Sequence, residues 1–199
     1  MLDTSNDRAY GIEAVNKSYF NLDEIITCAS MTSCSCSRTL PKEILALVNH
    51  SEQGTNTSKG HKAEVPLFLA ETFHRTGIGM VHLSFPFNNR LREALLADSR
   101  SVDLEALHHH FYRLGRHLVN IVEESQAQGL ADTLLHTFLQ RVGQIIIRSL
   151  NSNEKPTKLD STEKLLYAYG MYTEAQFRDW FDGVDEGCKR RAESLKVSV

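Results

Sequence analysis

DLEALHHHFYRLGRHLVNIVEE occupies residues 103–124 and carries the strongest helical repeat of the chain. Leu104, Leu107, Phe111, Leu114, Leu118 and Ile121 recur at intervals of three and four, the repeat of one helical face. Tyr112, Gly115, Val119 and Val122 form a second apolar row beside it. Glu105, His109, Arg113, Arg116, Asn120 and Glu123 take the remaining face. The spacing predicts a single helix over 103–124. Its apolar arc is wider than one packed neighbour requires, so the helix is expected between several others or shared with another chain.

On the C-terminal side a second helix is expected from about Leu130 to Leu150. Leu134, Phe138, Val142 and Ile145 form its stripe, and Leu135, Leu139 and Ile146 widen it. Asn151 to Lys158 is a polar connector containing Pro156. Asp160-Ser161-Thr162-Glu163 then has the form of a capped helix start with glutamate at its third position. Gly170 interrupts the following block, and Thr173-Glu174-Ala175-Gln176 offers a second capping box, so a bend or break is expected there. Phe177, Trp180 and Phe181 follow, and the polar stretch from Gly183 is expected to fray.

Toward the N-terminus, Asn88 is placed to cap a helix carrying Leu91, Leu95 and Leu96. Val81, Leu83 and Phe85 alternate with His82 and Ser84, which predicts a short strand ended by Pro86. Gly77 and Gly79 end a helix that begins near Pro66 and carries Leu67, Leu69, Ala70 and Phe73. Residues 49–62 carry no apolar side chain and read as an exposed linker. Before them, Tyr19-Phe20, Leu22 and Ile25-Ile26 suggest strand and turn, and Ile44, Leu45, Leu47 and Val48 after Leu40-Pro41 one short helix or strand. The expected architecture is mainly α with a small strand-containing N-terminal domain, an α+β chain. That domain spans 1–62 and ends in the linker; a helical-bundle domain spans 63–199 and ends in a frayed tail.

The 199 residues are 41% hydrophobic and 24% charged, with a net charge of −3 and a pI near 6.3. A dedicated duplex-DNA binder shows a basic excess or stripe, which is absent, so protein partners are the better expectation. Apolar runs such as Ile145-Ile146-Ile147 fall far short of the roughly 20 residues that span a bilayer. The acidic, polar start differs from a secretory signal, and the chain is expected in the cytosol or nucleus.

Chemistry-bearing residues are sparse. His110 and His117 lie two helical turns apart, about 10 Å, too far to chelate one ion. His108 is placed at the edge of the apolar arc and His109 on the solvated face. Cys34 and Cys36 are spaced more tightly than a usual zinc pair, and the four cysteines Cys28, Cys34, Cys36 and Cys188 read as small residues near a strand or turn, with a metal site the lesser alternative. Gly77-Ile78-Gly79 is too short for a phosphate loop. Lys189-Arg190-Arg191 reads as a solvated tail. No catalytic, cofactor-binding or metal-binding residue is expected, and no cofactor.

Several segments, taken in order, resemble the GINS family, specifically its third-numbered "partner of Sld-five" subunit. They are Tyr19-Phe20-Asn21-Leu22-Asp23-Glu24-Ile25-Ile26, Ala63-Glu64-Val65-Pro66-Leu67-Phe68-Leu69-Ala70, Leu83-Ser84-Phe85-Pro86, and Val102-Asp103-Leu104 leading to Phe111-Tyr112-Arg113-Leu114-Gly115. Leu135-x-x-Phe138 with Arg141, and Phe177-x-x-Trp180, complete the series. Phe68 stands where the family more often has tryptophan, and Ser30 to Arg38 fits poorly.

The resemblance implies a nuclear, non-catalytic subunit of a heterotetramer with the three other GINS subunits. It further implies attachment to the MCM helicase ring and a RecJ-like initiation factor, with DNA contact at most indirect and no membrane. Pro66, Leu67, Phe68, Leu107, Phe111, Tyr112, Leu114, Gly115, Leu118, Phe138, Phe177 and Trp180 are its interface or core candidates. Two other readings of the same residues are a free-standing helical protein-interaction adaptor unrelated to replication and a metal-dependent hydrolase using the histidines.

Overall fold

The computed structural model describes residues 20–36, 62–151 and 157–196, the stretch 185–196 by its helical backbone only. The short element expected at Ile44–Val48, nearly all of the linker and the side chains of Lys189, Arg190 and Arg191 lie outside the described residues.

The first described element is a helix, α1 (Leu22–Cys28), where strand and turn were expected. Asn21 explains the difference. Its side chain accepts from the Glu24 N–H at 3.4 Å, and Asp23 and Glu24 lie in the first turn, where a helix favours negative charge. β1 (Met31–Cys36) follows and forms the centre of a three-stranded antiparallel sheet with β2 (Lys62–Pro66) and β3 (Gly79–His82) in the order β2-β1-β3. Thr32 pairs with Val65 and Cys34 with Val81, and all four are buried on one face. The sheet thus takes one strand from before residue 62 and two from residue 62 onward. β1 has little apolar character of its own and is held by its neighbours. β3 ends before Leu83, and it is Phe87, not the exposed Phe85, that fills the core.

α2 (Leu67–Arg75) starts directly after Pro66 and buries Leu67, Ala70 and Phe73. Gly77, at φ 66°, turns the chain into β3. Gly79 lets two strands and α2 close up, since a Cβ there would sit 2.8 Å from Cys34 Sγ. α3 (Asn89–Asp98) is capped by Asn88, whose Oδ1 accepts from the Leu91 N–H at 2.9 Å.

The segment 103–124 is two helices, not one. α4 (Leu104–Leu107) is capped by Asp103, the chain becomes extended at His108, and α5 (Phe111–Val119) starts afresh. The break is made from outside the segment. The buried Phe111 N–H donates to Asp160 Oδ1 at 2.7 Å instead of to the preceding turn. Both apolar rows are nevertheless consumed within the chain. Phe111, Leu114, Gly115, Leu118, Ile121 and Val122 are buried and Tyr112 and Val119 partly so. The Phe87 and Phe111 rings lie 4.9 Å apart, and a Cβ on Gly115 would sit 2.7 Å from Leu134. The wide arc therefore reflects packing against several elements of this chain and leaves no spare face there.

α6 (Glu124–Asn151) and α7 (Ser161–Lys196) complete the fold. α7 runs unbroken through Gly170 and Thr173, against the expected break, and stays helical to Lys196 instead of fraying from Gly183. Gly170 serves close packing: a Cβ there would collide with Ser149 Oγ of α6. Thr173 is no cap, because its hydroxyl donates to the Tyr169 carbonyl one turn back at 2.9 Å. Among the described residues no helix is long and apolar enough to cross a membrane.

Candidate partner interface

The helical part is locked by a buried polar joint. Asp160-Ser161-Thr162-Glu163 is the capping box expected from sequence. Asp160 Oδ2 accepts from the Thr162 N–H at 2.9 Å, and Glu163 Oε2 accepts from the Asp160 N–H at 3.4 Å. Each carboxylate also serves a distant element. Asp160 caps α5 through Phe111, and Glu163, fully buried, meets Arg141 of α6 side by side, at 2.8 Å from Nε and 3.0 Å from Nη2.

The remaining Arg141 hydrogens go to the carbonyls of Ser99, Val102 and Lys158 at 2.6, 3.0 and 2.7 Å. All five guanidinium N–H groups thus have an acceptor. Lys158 reaches its position with φ at 64°. The Tyr112 hydroxyl donates to Glu163 Oε1 at 2.8 Å. Burial, and then the Glu163 charge, push its proton affinity far above the usual tyrosine value. From sequence, Arg141 stands out only within the family resemblance; a lone arginine in an amphipathic repeat carries no sign that it is buried.

This joint inverts α6. The face turned into the chain carries Leu130, Thr133, Thr137, Arg141, Ile145 and Ser149, all buried. The outer face carries Leu135, Leu139, Ile146, Ile147 and Leu150, each 44–61% exposed. Fully burying one such side chain is worth roughly 1.5–3 kcal/mol, so at these exposures the row forgoes on the order of 5 kcal/mol. Beyond Gly170 the described part of α7 buries no residue, and Phe177, Trp180, Phe181 and Val184 are exposed. The Phe177 ring lies 5.9 Å from Trp180 and 6.4 Å from Phe181, so the rings form one contiguous patch. Phe68, Met80 and Phe85 add exposed apolar side chains nearer the sheet.

The twelve interface or core candidates divide accordingly. Leu67, Phe111, Leu114, Gly115 and Leu118 are buried in the chain's own core. Pro66, Leu107, Tyr112 and Phe138 are partly covered, Tyr112 meeting Phe138 edge to face at 5.8 Å. Phe68, Phe177 and Trp180 are exposed. The outer row of α6 was legible only as a widening of the helix's stripe.

The histidines separate into distinct roles. His109 is exposed, as expected. His108 is partly covered and 3.1 Å from Ser30 Oγ, and His110 is buried with Nδ1 2.8 Å from Ser161 Oγ. Burial lowers the proton affinity of both below the usual histidine value. His117 is paired with acids and not with His110: Nε2 is 2.6 Å from Glu24 Oε1 and Nδ1 2.9 Å from Glu71 Oε1. Arg113, placed on the solvated face from sequence, is mostly covered and bridges to Asp23 at 3.2 Å. The ligand atoms of Glu24, Cys28 and His117 lie within 4.8 Å of one another and are the grouping suited to a metal ion among the described residues.

Comparison with known proteins places these features in a family. Residues 86–182 match the model of the GINS complex protein helical bundle domain. The chain is 30% identical over 140 residues to the DNA replication complex GINS protein PSF3 of Phaeosphaeria nodorum, covering 67% of this chain and 75% of that one. It is 28% identical over 177 residues to the psf3 protein of Aspergillus fumigatus, covering 82% and 96%, and 24% identical over 133 residues to that of Schizosaccharomyces pombe, covering 67% and 74%.

Proposed function

The chain belongs to the Psf3 family of DNA replication complex GINS proteins, and from that premise we propose that it is a non-catalytic structural subunit of a GINS heterotetramer. The observation that carries the proposal is α6, which buries Thr133, Thr137, Arg141 and Ser149 beside Leu130 and Ile145 while Leu135, Leu139, Ile146 and Ile147 face outward. A lone chain gains nothing from that arrangement. A chain whose outer row meets another subunit recovers the apolar burial and keeps its polar joint. Obligate interfaces are core-like and typically exceed about 2,000 Å² in total, a size that the α6 row and the Phe177–Trp180–Phe181 patch could serve together.

The partners in this reading are the three other GINS subunits, and through them the MCM helicase ring and a RecJ-like initiation factor, in the nucleus. The subunit braces that motor and contributes no reacting group. In support, the buried titratable side chains of the joint are saturated by one another: Arg141 has no free N–H, and Glu163 and Asp160 are occupied by backbone and side-chain donors. DNA contact is at most indirect, consistent with a net charge of −3. The division into a small N-terminal part up to the linker and a helical part beyond it belongs to the same proposal.

The test is co-expression with the three other subunits, followed by purification on a tag carried by one of them. Recovery of all four in equal amounts is the expected outcome, with Leu139→Asp selectively losing this chain from the complex. A soluble, monodisperse monomer by light scattering that fails to bind the other three would sink the proposal and favour the free-standing adaptor.

A further inference from the structure

Glu24 and Cys28 are four residues apart on α1, so they leave the same face of that helix. His117 of α5 meets that face, and the three potential ligand atoms lie within 4.8 Å of one another. Behind them stands Glu71 of α2, whose carboxylate is 2.9 Å from His117 Nδ1, while Nε2 lies 2.6 Å from Glu24 Oε1. Carboxylates only accept; an imidazolium would donate to both acids, whereas a neutral imidazole, with a single N–H, keeps that N–H for one acid and leaves the other ring nitrogen's lone pair for a ligand. From this geometry we propose a binding site for a thiolate-accepting divalent cation, zinc in the first instance, with Glu24, Cys28 and His117 Nε2 as protein ligands. Water takes the fourth position, and the Glu71 carboxylate accepts from Nδ1–H.

The donor set fits. One thiolate, one imidazole and one carboxylate form the mixed nitrogen, sulfur and oxygen environment that zinc takes in tetrahedral sites with three protein ligands. A histidine ligand characteristically donates its other ring N–H to a carboxylate, which fixes its tautomer and aim, and Glu71 is so placed. Binding releases the Cys28 thiol proton to solvent and uses the Nε2 lone pair, leaving thiolate, carboxylate and dication with no net charge at the centre. Without an ion, burial, and then the charges of Glu24 and Glu71, push the Cys28 thiol above its ordinary value. That negative field attracts a cation, and a bound cation reverses its effect on the thiol. Arg116 Nη2 lies 4.0 Å from Glu24 Oε1, but its side chain is largely exposed and can turn to solvent as an ion enters.

The experiment uses the full chain, alone or in its complex, stripped with a chelator and then given Zn²⁺ or Co²⁺ as the sole probe. The expected result is one metal equivalent retained per copy of this chain after desalting, with a thiolate-to-cobalt charge-transfer band for the Co²⁺ form. Cys28→Ser removes the band, and His117→Gln and Cys28→Ser each weaken binding more than Glu71→Gln does. Glu71→Gln removes no ligand and lowers affinity by about 10- to 100-fold by taking the charge from the acceptor of Nδ1–H. Far-UV circular dichroism checks that each variant folds, and Glu71→Gln keeps the test decisive if a ligand variant does not. Retention no better than in the chelated control, equal retention by Cys28→Ser or His117→Gln, or bound cobalt without a thiolate band would each overturn the site.

Discussion

Two regions of α6 teach opposite lessons about where polarity belongs. At Thr137 and Arg141 the helix turns into the chain, and what it buries is hydroxyl and guanidinium. At Leu135 and Leu139, on the other side of the helix, it exposes leucine. In a self-sufficient domain the assignment runs the other way, because isolated polar groups are costly to bury and apolar ones gain by it. The inner face is stable because every donor of Arg141 is matched. The outer face is consistent with a chain that completes its core elsewhere. Polar closure holds the chain to itself, and apolar surface is reserved for another molecule.

The largest change should come from breaking the inner face. Glu163→Ala leaves Arg141 charged and buried with two donors unpaired, and frees the Tyr112 hydroxyl. Breaking a buried pair in this way costs about 3–5 kcal/mol. We expect the denaturant midpoint of the chain in its complex to fall accordingly. A loss below about 1 kcal/mol would mean that the joint is not the lock described here.

Acid should loosen the same region by a second route. His108 and His110 are held neutral by burial, so their folded-state values lie below the ordinary value of about 6.5. As pH falls through that ordinary value, the unfolded chain takes up protons first, and stability drops until the folded-state values are reached; above it their contribution is flat. The groups facing them are Ser30, His110, Asp160 and His109 for His108, and Ser161, Asp23, Asp160, Arg113 and His109 for His110. Calorimetric melting at about pH 7 and about pH 5.5 should therefore show a fall that is smaller in His110→Gln. An equal fall in both proteins would remove His110 from the explanation.

The outer face should give the smallest effect on the fold itself. Leu139→Ser and His109→Gln both alter exposed positions, and each should change the stability of the chain by less than about 0.5 kcal/mol. They should differ in assembly: Leu139→Ser lowers complex yield and His109→Gln leaves it unchanged. Equal yields would dissolve the contrast between the two faces.

How much of this was legible follows from the range of the interactions. Asn88, Gly77 and the box at Asp160–Glu163 act within a few residues, and their roles could be read directly. The break at His108–His110 could not, because the group that imposes it, Asp160, is 49 residues from Phe111. Gly170 looked like a helix breaker and instead admits Ser149, a distinction that depends on a neighbouring helix. β1 carries mostly small polar residues and owes its strand form to β2 and β3. Periodicity located the rows of α6 and could not say which one would be covered. The Glu24–Cys28–His117 grouping escaped because its members come from helices far apart in sequence, and His117 had been weighed only against His110.

The way Arg141 is satisfied also bears on which positions of the sequence are free to drift. Three of its five acceptors are main-chain carbonyls, at Ser99, Val102 and Lys158, and every residue type supplies a carbonyl. Toward the arginine those three positions act by their backbone path and not by their side chains, although Ser99 is held for its own reason, its buried hydroxyl donating to Gln140 Oε1 at 2.8 Å, so the side chain that the arginine itself specifies is Glu163. Arg141 and Glu163 are thereby a linked pair. Either one altered alone strands its partner in a dry interior, whereas both replaced together by apolar residues remove the stranded charge and leave the Tyr112 hydroxyl and the three carbonyls as what remains to be satisfied.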